Sequence, residues 1–426
     1  MNYTFKQKFH AVGQGLFYSS SLSNNTKTVH IVFDCGSEKI DFVEREVIEY
    51  KKEVKEIDLL ILSHLHYDHV SGLKELLNGT TVKTIVLPYL NQYERLLLQI
   101  DHGTQAQWYS NFLDNPYNWL SENGNITNIV VINGNGEQSS DNEEIHFQDF
   151  NPDDPFQTKN SLSKTHSVPE SEGTPFNEKV SFYQAKGSIQ IANLYFNFFN
   201  YQISPTKLKN FETLIHKLRI NNTQSALSIL KDVKQRKNLE KAYEQIEEHD
   251  LNKTSLVVYQ GLIFSKNKNF IDFKAISSCN NHPIFLNGCY WNHCDYFIHK
   301  HSLNNNCTYS LHCHCENNCQ NMIGTLLLGD IKLDYKTKRK EEFFNHFTNL
   351  LRTVQIVQLS HHGSKNGWND KLISETPSSC LYIASHAVKN KYAHPHKEVL
   401  ILLARSQRQY ISVSEYDEWY VKFIYM

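Results

Sequence analysis

The chain has 426 residues, 40% of them hydrophobic, which suffices for a large buried core and leaves room for about two or three domains. Its 43 Lys and Arg against 45 Asp and Glu give a formal net charge of −2, so no global basic field attracts nucleic acid and any such contact must come from a local patch. No run of about 20 apolar residues is present to span a bilayer, and Met1-Asn2-Tyr3-Thr4-Phe5-Lys6 lacks the apolar core of a secretory signal, so a cytoplasmic location is expected.

Residues 3–18 read as a strand and turn, ending in Val12-Gly13-Gln14-Gly15-Leu16. Residues 29–33 read as a buried strand closed by Asp34-Cys35-Gly36. Phe42, Val43, Val47 and Ile48 then give residues 41–55 a helical spacing. The next strand is 57–62, followed by a helix beginning at Gly72 and a strand over 82–87 that Pro88 stops. Strands alternating with helices predict an α/β layered fold.

Beyond residue 91 the pattern loosens. Residues 93–100 are helical, 134–178 are polar and acidic and read as an extended loop, and 180–199 read as paired strands. Ser204-Pro205 is a helix start with Leu208, Phe211, Ile215 and Leu218 as its apolar stripe, and a second helix covers 224–248. Both are expected to pack on the core and carry no chemistry. Regular pattern returns with a strand at 254–259. After a Cys- and His-rich stretch it resumes with strands at 325–330, 354–359 and 381–385, helices at 339–350 and 397–405, and two strands over 409–425.

The chemistry concentrates where the strand 57–62 ends. Ser63-His64-Leu65-His66-Tyr67-Asp68-His69 places three imidazoles and a carboxylate within six positions at the mouth of a buried strand. Such a set suits two closely spaced ions better than a packing role, and imidazole with carboxylate suits zinc, manganese or iron. One face of the cluster offers His64 and His66; the other offers Asp68 and His69.

The run resembles the signature of the metallo-β-lactamase superfamily. That resemblance implies an αββα sandwich and further ligands from distant strand ends. Asp330, in Gly329-Asp330 at the end of an aliphatic strand, is the candidate bridging carboxylate. His361, in Ser360-His361-His362-Gly363-Ser364, is the next metal-ligand candidate. Asp34 is expected to support the metal loop by hydrogen bonding without binding metal. The order of Gly13-Gln14-Gly15, Phe33-Asp34-Cys35-Gly36, the His64–His69 cluster, Asn252-x-x-Ser255, Leu328-Gly329-Asp330, His361-His362-Gly363-Ser364 and Tyr392-Ala393-His394-Pro395-His396 narrows the likeness. It is similar to the metallohydrolase domain of ComEC-type DNA-uptake proteins and their soluble relatives. On this reading residues 1–95 and 251–426 are the two halves of the domain, 96–250 is an insertion with a polar loop and helices, and 275–322 is a second, Cys/His-rich insertion.

The resemblance implies phosphodiester hydrolysis, with a nuclease as the leading expectation. Two divalent ions, Zn2+ or Mn2+, would activate a hydroxide for in-line attack on phosphorus. Asp68 would orient it while binding metal, and His394 would contact the phosphate or protonate the leaving oxygen. His396 is the weaker candidate for direct action. Many superfamily members supply another histidine between the first cluster and the bridging Asp. His249 is the available candidate here, although helix-end histidines commonly serve as dipole partners.

Two features lie outside this frame. Cys279, Cys289, Cys294, Cys307, Cys313, Cys315 and Cys319, interleaved with His282, His293, His299, His301, His312 and His314, offer more than the four ligands of a structural Zn2+ site, without a standard Cys-x-x-Cys pair to fix the set. Lys332, Lys336, Lys338, Arg339 and Lys340 form a basic run that could reach a nucleic-acid backbone or simply be a solvated helix start. The near-neutral charge leaves a small phosphodiester substrate, a cyclic nucleotide or a choline phosphoester, as the alternative. A partner-activated effector or non-catalytic scaffold is the reading from a different class.

Overall fold

The computed structural model describes residues 3–90, 92–101, 106–134, 156–164, 178–200, 255–263, 271–277, 296–303, 306–313, 322–333 and 340–425, together with the helical positions 209, 213 and 217. The chain opens with strands β1 (Tyr3–Phe9), β2 (Phe17–Ser23) and β3 (Thr28–Cys35), helix α1 (Ile40–Glu53) and strand β4 (Glu56–Ile61). Helices α2 (Tyr67–Val70) and α3 (Leu73–Leu77), strand β5 (Thr81–Pro88), helices α4 (Gln92–Asp101), α5 (Gln107–Asp114) and α6 (Pro116–Asn123), and strand β6 (Asn125–Asn133) follow. Strands β7 (Thr158–Asn160), β8 (Val180–Gln184), β9 (Ser188–Ile191), β10 (Leu194–Phe199) and β11 (Val257–Ile263) come next. The remaining elements are β12 (Ile271–Ser277), β13 (Tyr296–Leu303), β14 (Asn306–Cys313), β15 (Met322–Leu327), α7 (Lys340–Leu351), β16 (Val354–Gln358), α8 (Lys371–Glu375), β17 (Leu381–Ser385), α9 (Lys397–Arg405), β18 (Gln409–Val413) and β19 (Trp419–Tyr425).

Two eight-stranded sheets face each other, ordered β19-β1-β2-β3-β4-β5-β6-β8 and β18-β17-β16-β15-β11-β10-β9-β7. Strand β4 shows why they stack. Ile57 and Leu60 point to one face and pack beneath α1, α3, α5 and α6, while Leu59 and Ile61 point into the core between the sheets. That middle core also holds Phe5, Phe9, Phe33, Phe196, Val258, Leu327, Ile356 and Ile383. On the far side of the second sheet, Phe343, Phe347, Leu350 and Leu351 of α7 pack with Val399 and Leu403 of α9 at helical spacing. Helices, sheet, sheet, helices: the layers are αββα, as the sequence implied.

A buried polar ladder ties the sheets through this core. Gln7 Nε2 donates to Tyr18 Oη at 2.9 Å and to Thr325 Oγ1 at 2.5 Å; Tyr18 donates to Gln260 Oε1 at 2.8 Å, and Gln260 Nε2 to Ser20 Oγ at 2.7 Å. These bonds satisfy groups whose burial unpaired would cost about 1–3 kcal/mol each.

The middle of the chain differs from expectation. The segment 96–250, read as an insertion, supplies β6 and β8 to the first sheet and β9 and β10 to the second. Strand β8 runs parallel to β6, whereas β9 and β10 pair with each other, so 180–199 is not one paired unit. Helices α5 and α6 carry short, mixed patterns in which aromatics mark much of the buried face, Tyr109, Phe112, Tyr117 and Trp119, whereas β6 buries the aliphatics Ile126, Ile129, Val131 and Ile132. Across 271–313, β12, β14 and β13 form a separate antiparallel sheet. Cys307 and Cys313 stand on β14, with backbone partners Ser302 and Tyr296 on β13. Cys279, Cys289, Cys294, Cys315, Cys319 and His249 lie outside the described residues, as do Lys336, Lys338, Arg339 and the helix expected at 224–248. Among the described residues no helix is long and apolar enough to cross a membrane.

Candidate metal centre

The site forms where strand ends of both sheets meet. The end of β4 is pinned to the second sheet by the Leu256 N–H, which donates to the Ser63 carbonyl at 2.6 Å. From there the chain turns through His64 and His66 into α2, which carries Asp68 and His69. Asp330 enters from the turn after β15 and is nearly fully buried. His361 and His362 come from the short 3-10 turn Ser360–Gly363 after β16, both in the left-handed region at φ 48° and 57°.

These side chains converge. Asp330 Oδ1 lies 3.2 Å from His69 Nε2, and Asp330 Oδ2 lies 3.6 Å from His64 Nε2 and 3.8 Å from His361 Nε2. Asp68 Oδ2 lies 3.3 Å from His362 Nε2 and 4.0 Å from His69 Nε2. Two compact triads result, each with ligand atoms within 4.8 Å of one another: His64, His66 and Asp330, and Asp68, His69 and His362. His362 had not been singled out from the sequence, where the adjacent His361 was the expected ligand. Two neighbouring histidines give the sequence no means of telling which faces inward.

The outer nitrogens of three imidazoles are already engaged. His69 Nδ1 pairs with Asp34 Oδ2 at 2.7 Å, His64 Nδ1 with Ser63 Oγ at 2.8 Å, and His362 Nδ1 with the Ser385 carbonyl at 2.8 Å. With Nδ1 engaged, Nε2 is in each case the nitrogen left to face the centre. Asp34 also accepts from the Ser63 N–H and the Ser63 hydroxyl, both at 2.6 Å. Asp34 therefore has its oxygens occupied and braces the loop, although it lies close enough to His64 and His69 to form a third cluster.

Three of the inner atoms lack hydrogen-bond partners. His64 Nε2, His69 Nε2 and Asp330 Oδ1 are buried and unsatisfied. Donor atoms of this kind, gathered around one point, fit a divalent cation. The electrostatics agree. Burial and neighbouring His69 hold His64 well below the usual histidine range, hence neutral and able to ligate. Burial alone would lower His69, but Asp330, Asp34 and Asp68 surround it and raise it well above that range. Burial would raise Asp330 and Asp68, yet His69 holds both carboxyls below the ordinary value. Three carboxylates thus create a strong demand for positive charge at the centre.

Backbone packing sets the loop's position. A Cβ at Gly36 would stand 2.4 Å from the His69 carbonyl carbon and 2.5 Å from that of Asp68, so glycine is required for this approach. Gln358 fixes the turn that delivers Asp330: its Oε1 accepts from the Leu328 and Gly329 N–H groups at 2.8 and 2.9 Å. The Asp330 N–H itself donates to Ser255 Oγ at 3.3 Å. Neither Gln358 nor Ser63 was singled out in the sequence, since the Gln358 bonds to Leu328 and Gly329 and the Ser63 bonds to Asp34 each span about 30 residues.

The mouth is bounded by Asp68 and His361, whose side chains remain 20% and 28% exposed. His394 closes one side, its ring centroid 5.1 Å from that of His361 and 6.2 Å from that of His362. Asn390 clamps it, accepting from the His394 N–H and donating to its carbonyl, each at 2.8 Å. Burial, then the neighbouring histidines, push His394 down to about 3, so it is neutral near pH 7. His396 Nδ1 accepts from the Lys365 N–H at 3.2 Å and holds that loop. Of the basic run, Lys332 is half-buried and Lys340 begins α7.

Residues 16–136 match the family model of the Metallo-beta-lactamase superfamily. The chain carries a domain of that superfamily. The matched span holds the His64–His69 cluster and Asp34, while Asp330, His361, His362 and His394 lie beyond it. Domain and ligand clusters together mark a metallohydrolase. Among solved structures the chain is similar to the Rm3 metallo-beta-lactamase at 9% identity, over 94% of this chain and 90% of that one, with a TM-score of 0.29. It is similar to metallo-beta-lactamase SMB-1 bound to 2-mercaptoethanesulfonate at 8% identity, over 85% and 83% of the two chains, with a TM-score of 0.27. The likeness to MEM-A1, a subclass B3 metallo-beta-lactamase from a soil metagenome library, covers 45% of this chain and 52% of that one, at 12% identity and a TM-score of 0.19. No curated protein matches the chain.

Proposed function

We propose that this centre binds two divalent ions, Zn2+ or Mn2+, and hydrolyses phosphodiester bonds of nucleic acid. The observation that carries the metal reading is the pair of triads, in which His64 Nε2, His69 Nε2 and Asp330 Oδ1 are buried without hydrogen-bond partners. His64, His66 and Asp330 would hold one ion, and Asp68, His69 and His362 the other. Bound there, the ions would supply water activation and charge neutralisation at a phosphate.

The chain's own groups do the rest. Asp68, partly exposed and an acceptor, orients the attacking water at the mouth. Neutral His394, braced by Asn390, donates a hydrogen bond to a phosphate oxygen. Exposed Lys365, Lys389, Lys391 and Lys397 flank this histidine, against exposed Glu38 and Glu398, and favour an anionic substrate. The likeness to ComEC-type proteins in the order of motifs supports the same substrate class.

Hydrolysis of oligonucleotides and of bis(p-nitrophenyl) phosphate, with Zn2+ or Mn2+, tests this reading. Turnover by the wild type and its loss by at least about a hundredfold in Asp68→Ala is the expected result. Equal activity in the two proteins would overturn the mechanism. Activity on small diesters with no salt-sensitive affinity for oligonucleotides would instead favour a cyclic nucleotide or choline phosphoester as substrate.

A further inference from the structure

A column of stacked rings leads out of the centre. His394 lies 29° from parallel with His362 at 6.2 Å, and Tyr392 lies 24° from parallel with His394 at 5.5 Å. The column begins at a candidate metal ligand and ends on Tyr392, which is 43% exposed. Tyr109, which bonds the Leu65 carbonyl in the metal loop, is buried, and Tyr67 beside Asp68 is half-buried. Tyr392 instead offers part of a flat apolar surface to solvent one ring beyond the phosphate-binding histidine. Lys391 places its ammonium 4.8 Å from the Tyr392 ring centroid.

A phosphate at His394 would bring its attached nucleoside to about the distance of one stacked ring. Bases stack on aromatic faces without regard to sequence, while neighbouring lysines track the backbone. In a duplex, stacking on the neighbouring base pairs covers both faces of the base, so an unpaired strand is required. We propose that Tyr392 is the base-stacking platform of this site and that its substrate is single-stranded nucleic acid. The proposal rests on the phosphodiesterase reading and adds a specificity-determining residue to it. Glu38, close enough to Tyr392 to influence its hydroxyl, opposes the anion locally; Lys391, Lys389 and Lys365 outnumber it.

The test compares two fluorescently labelled eight-residue strands of equal charge, oligothymidylate and an abasic oligomer. Their affinities are measured for the full-length Asp68→Ala chain with Mn2+, in which turnover is blocked. Oligothymidylate should bind about tenfold more tightly than the abasic strand. Adding Tyr392→Ala should abolish that preference, and Tyr392→Trp should preserve it. Equal affinity for the two strands, no binding of either, or a preference that survives Tyr392→Ala would overturn the proposal. Hydrolysis by the wild type is scored separately: absence of any phosphodiester turnover would sink the phosphodiesterase reading, whereas the base preference reports on Tyr392 itself.

Discussion

Asp34 and His69 meet at 2.7 Å with both side chains fully buried. The contact fixes which imidazole nitrogen faces the centre. Asp34 accepts a hydrogen bond from Nδ1–H and leaves Nε2 to point at Asp330, while its other contacts hold Ser63 at the head of the loop. Removing this brace should weaken metal binding without deleting a ligand. Asp34→Ala is expected to lower metal affinity by about 10–100-fold, measured by competition with a chromogenic chelator. Unchanged affinity would show that Asp34 does not orient the loop.

The two triads make separate stoichiometric claims. His362→Ala removes a ligand of the Asp68–His69 triad and leaves His64, His66 and Asp330 intact. Elemental analysis after dialysis should fall from two ions per chain toward one. A full complement of two in this variant would return the ligand role to His361.

Gly36 allows two backbone segments to touch. Substitution by alanine would force a Cβ to within about 2.5 Å of the Asp68 and His69 main chain, which must shift the loop. Gly36→Ala should destabilise the fold by about 1–3 kcal/mol and reduce metal uptake together. Thermal melts with and without Mn2+ would measure both. A variant that melts and loads as the wild type does would contradict the close approach.

Gln358 offers a gentler perturbation of Asp330. Gln358→Leu keeps the volume but strands the Leu328 and Gly329 N–H groups, at a cost of about 1–3 kcal/mol each. Chemical denaturation should show this loss, and Gln358→Glu, which still accepts from both, should recover part of it. No difference between the leucine and glutamate variants would remove the turn-fixing role.

His346 gives the fold an acid-sensitive contact away from the centre. Its Nε2 lies 2.6 Å from Asn197 Oδ1, joining α7 to β10, and burial lowers it to about 4. Because the folded value lies below the ordinary histidine value of about 6.5, the unfolded chain binds the proton first. Stability is therefore full above about pH 6.5 and falls as pH drops from there through about 4, by at most about 3 kcal/mol. In EDTA, His346→Gln should lose less stability than the wild type over that window. Parallel pH profiles for the two proteins would rule this out.

Much of the architecture was legible because burial leaves a local record. The doubly buried run of β4, the stripe of α1 and the strands at 354–358 and 381–385 follow from apolar periodicity. Helices α5 and α6 were not legible as layer members, because aromatic, mixed-polarity segments announce no clear stripe, and the parallel pairing of β6 with β5 is a long-range choice that its aliphatic run does not encode.

The sequence by itself determined the donor chemistry: imidazoles and carboxylates at His64, His66, Asp68 and His69, with Asp330 and the His361-His362 pair at later strand ends. Only the tertiary structure decided how they divide. Left-handed backbone at His361 and His362 turns His362 to Asp68 and leaves His361 at the mouth. The approach of Gly36 and the bonds of Asp34, Ser63 and Gln358 fix the loops, because ligand geometry depends on contacts between segments far apart in the chain, which periodicity does not encode.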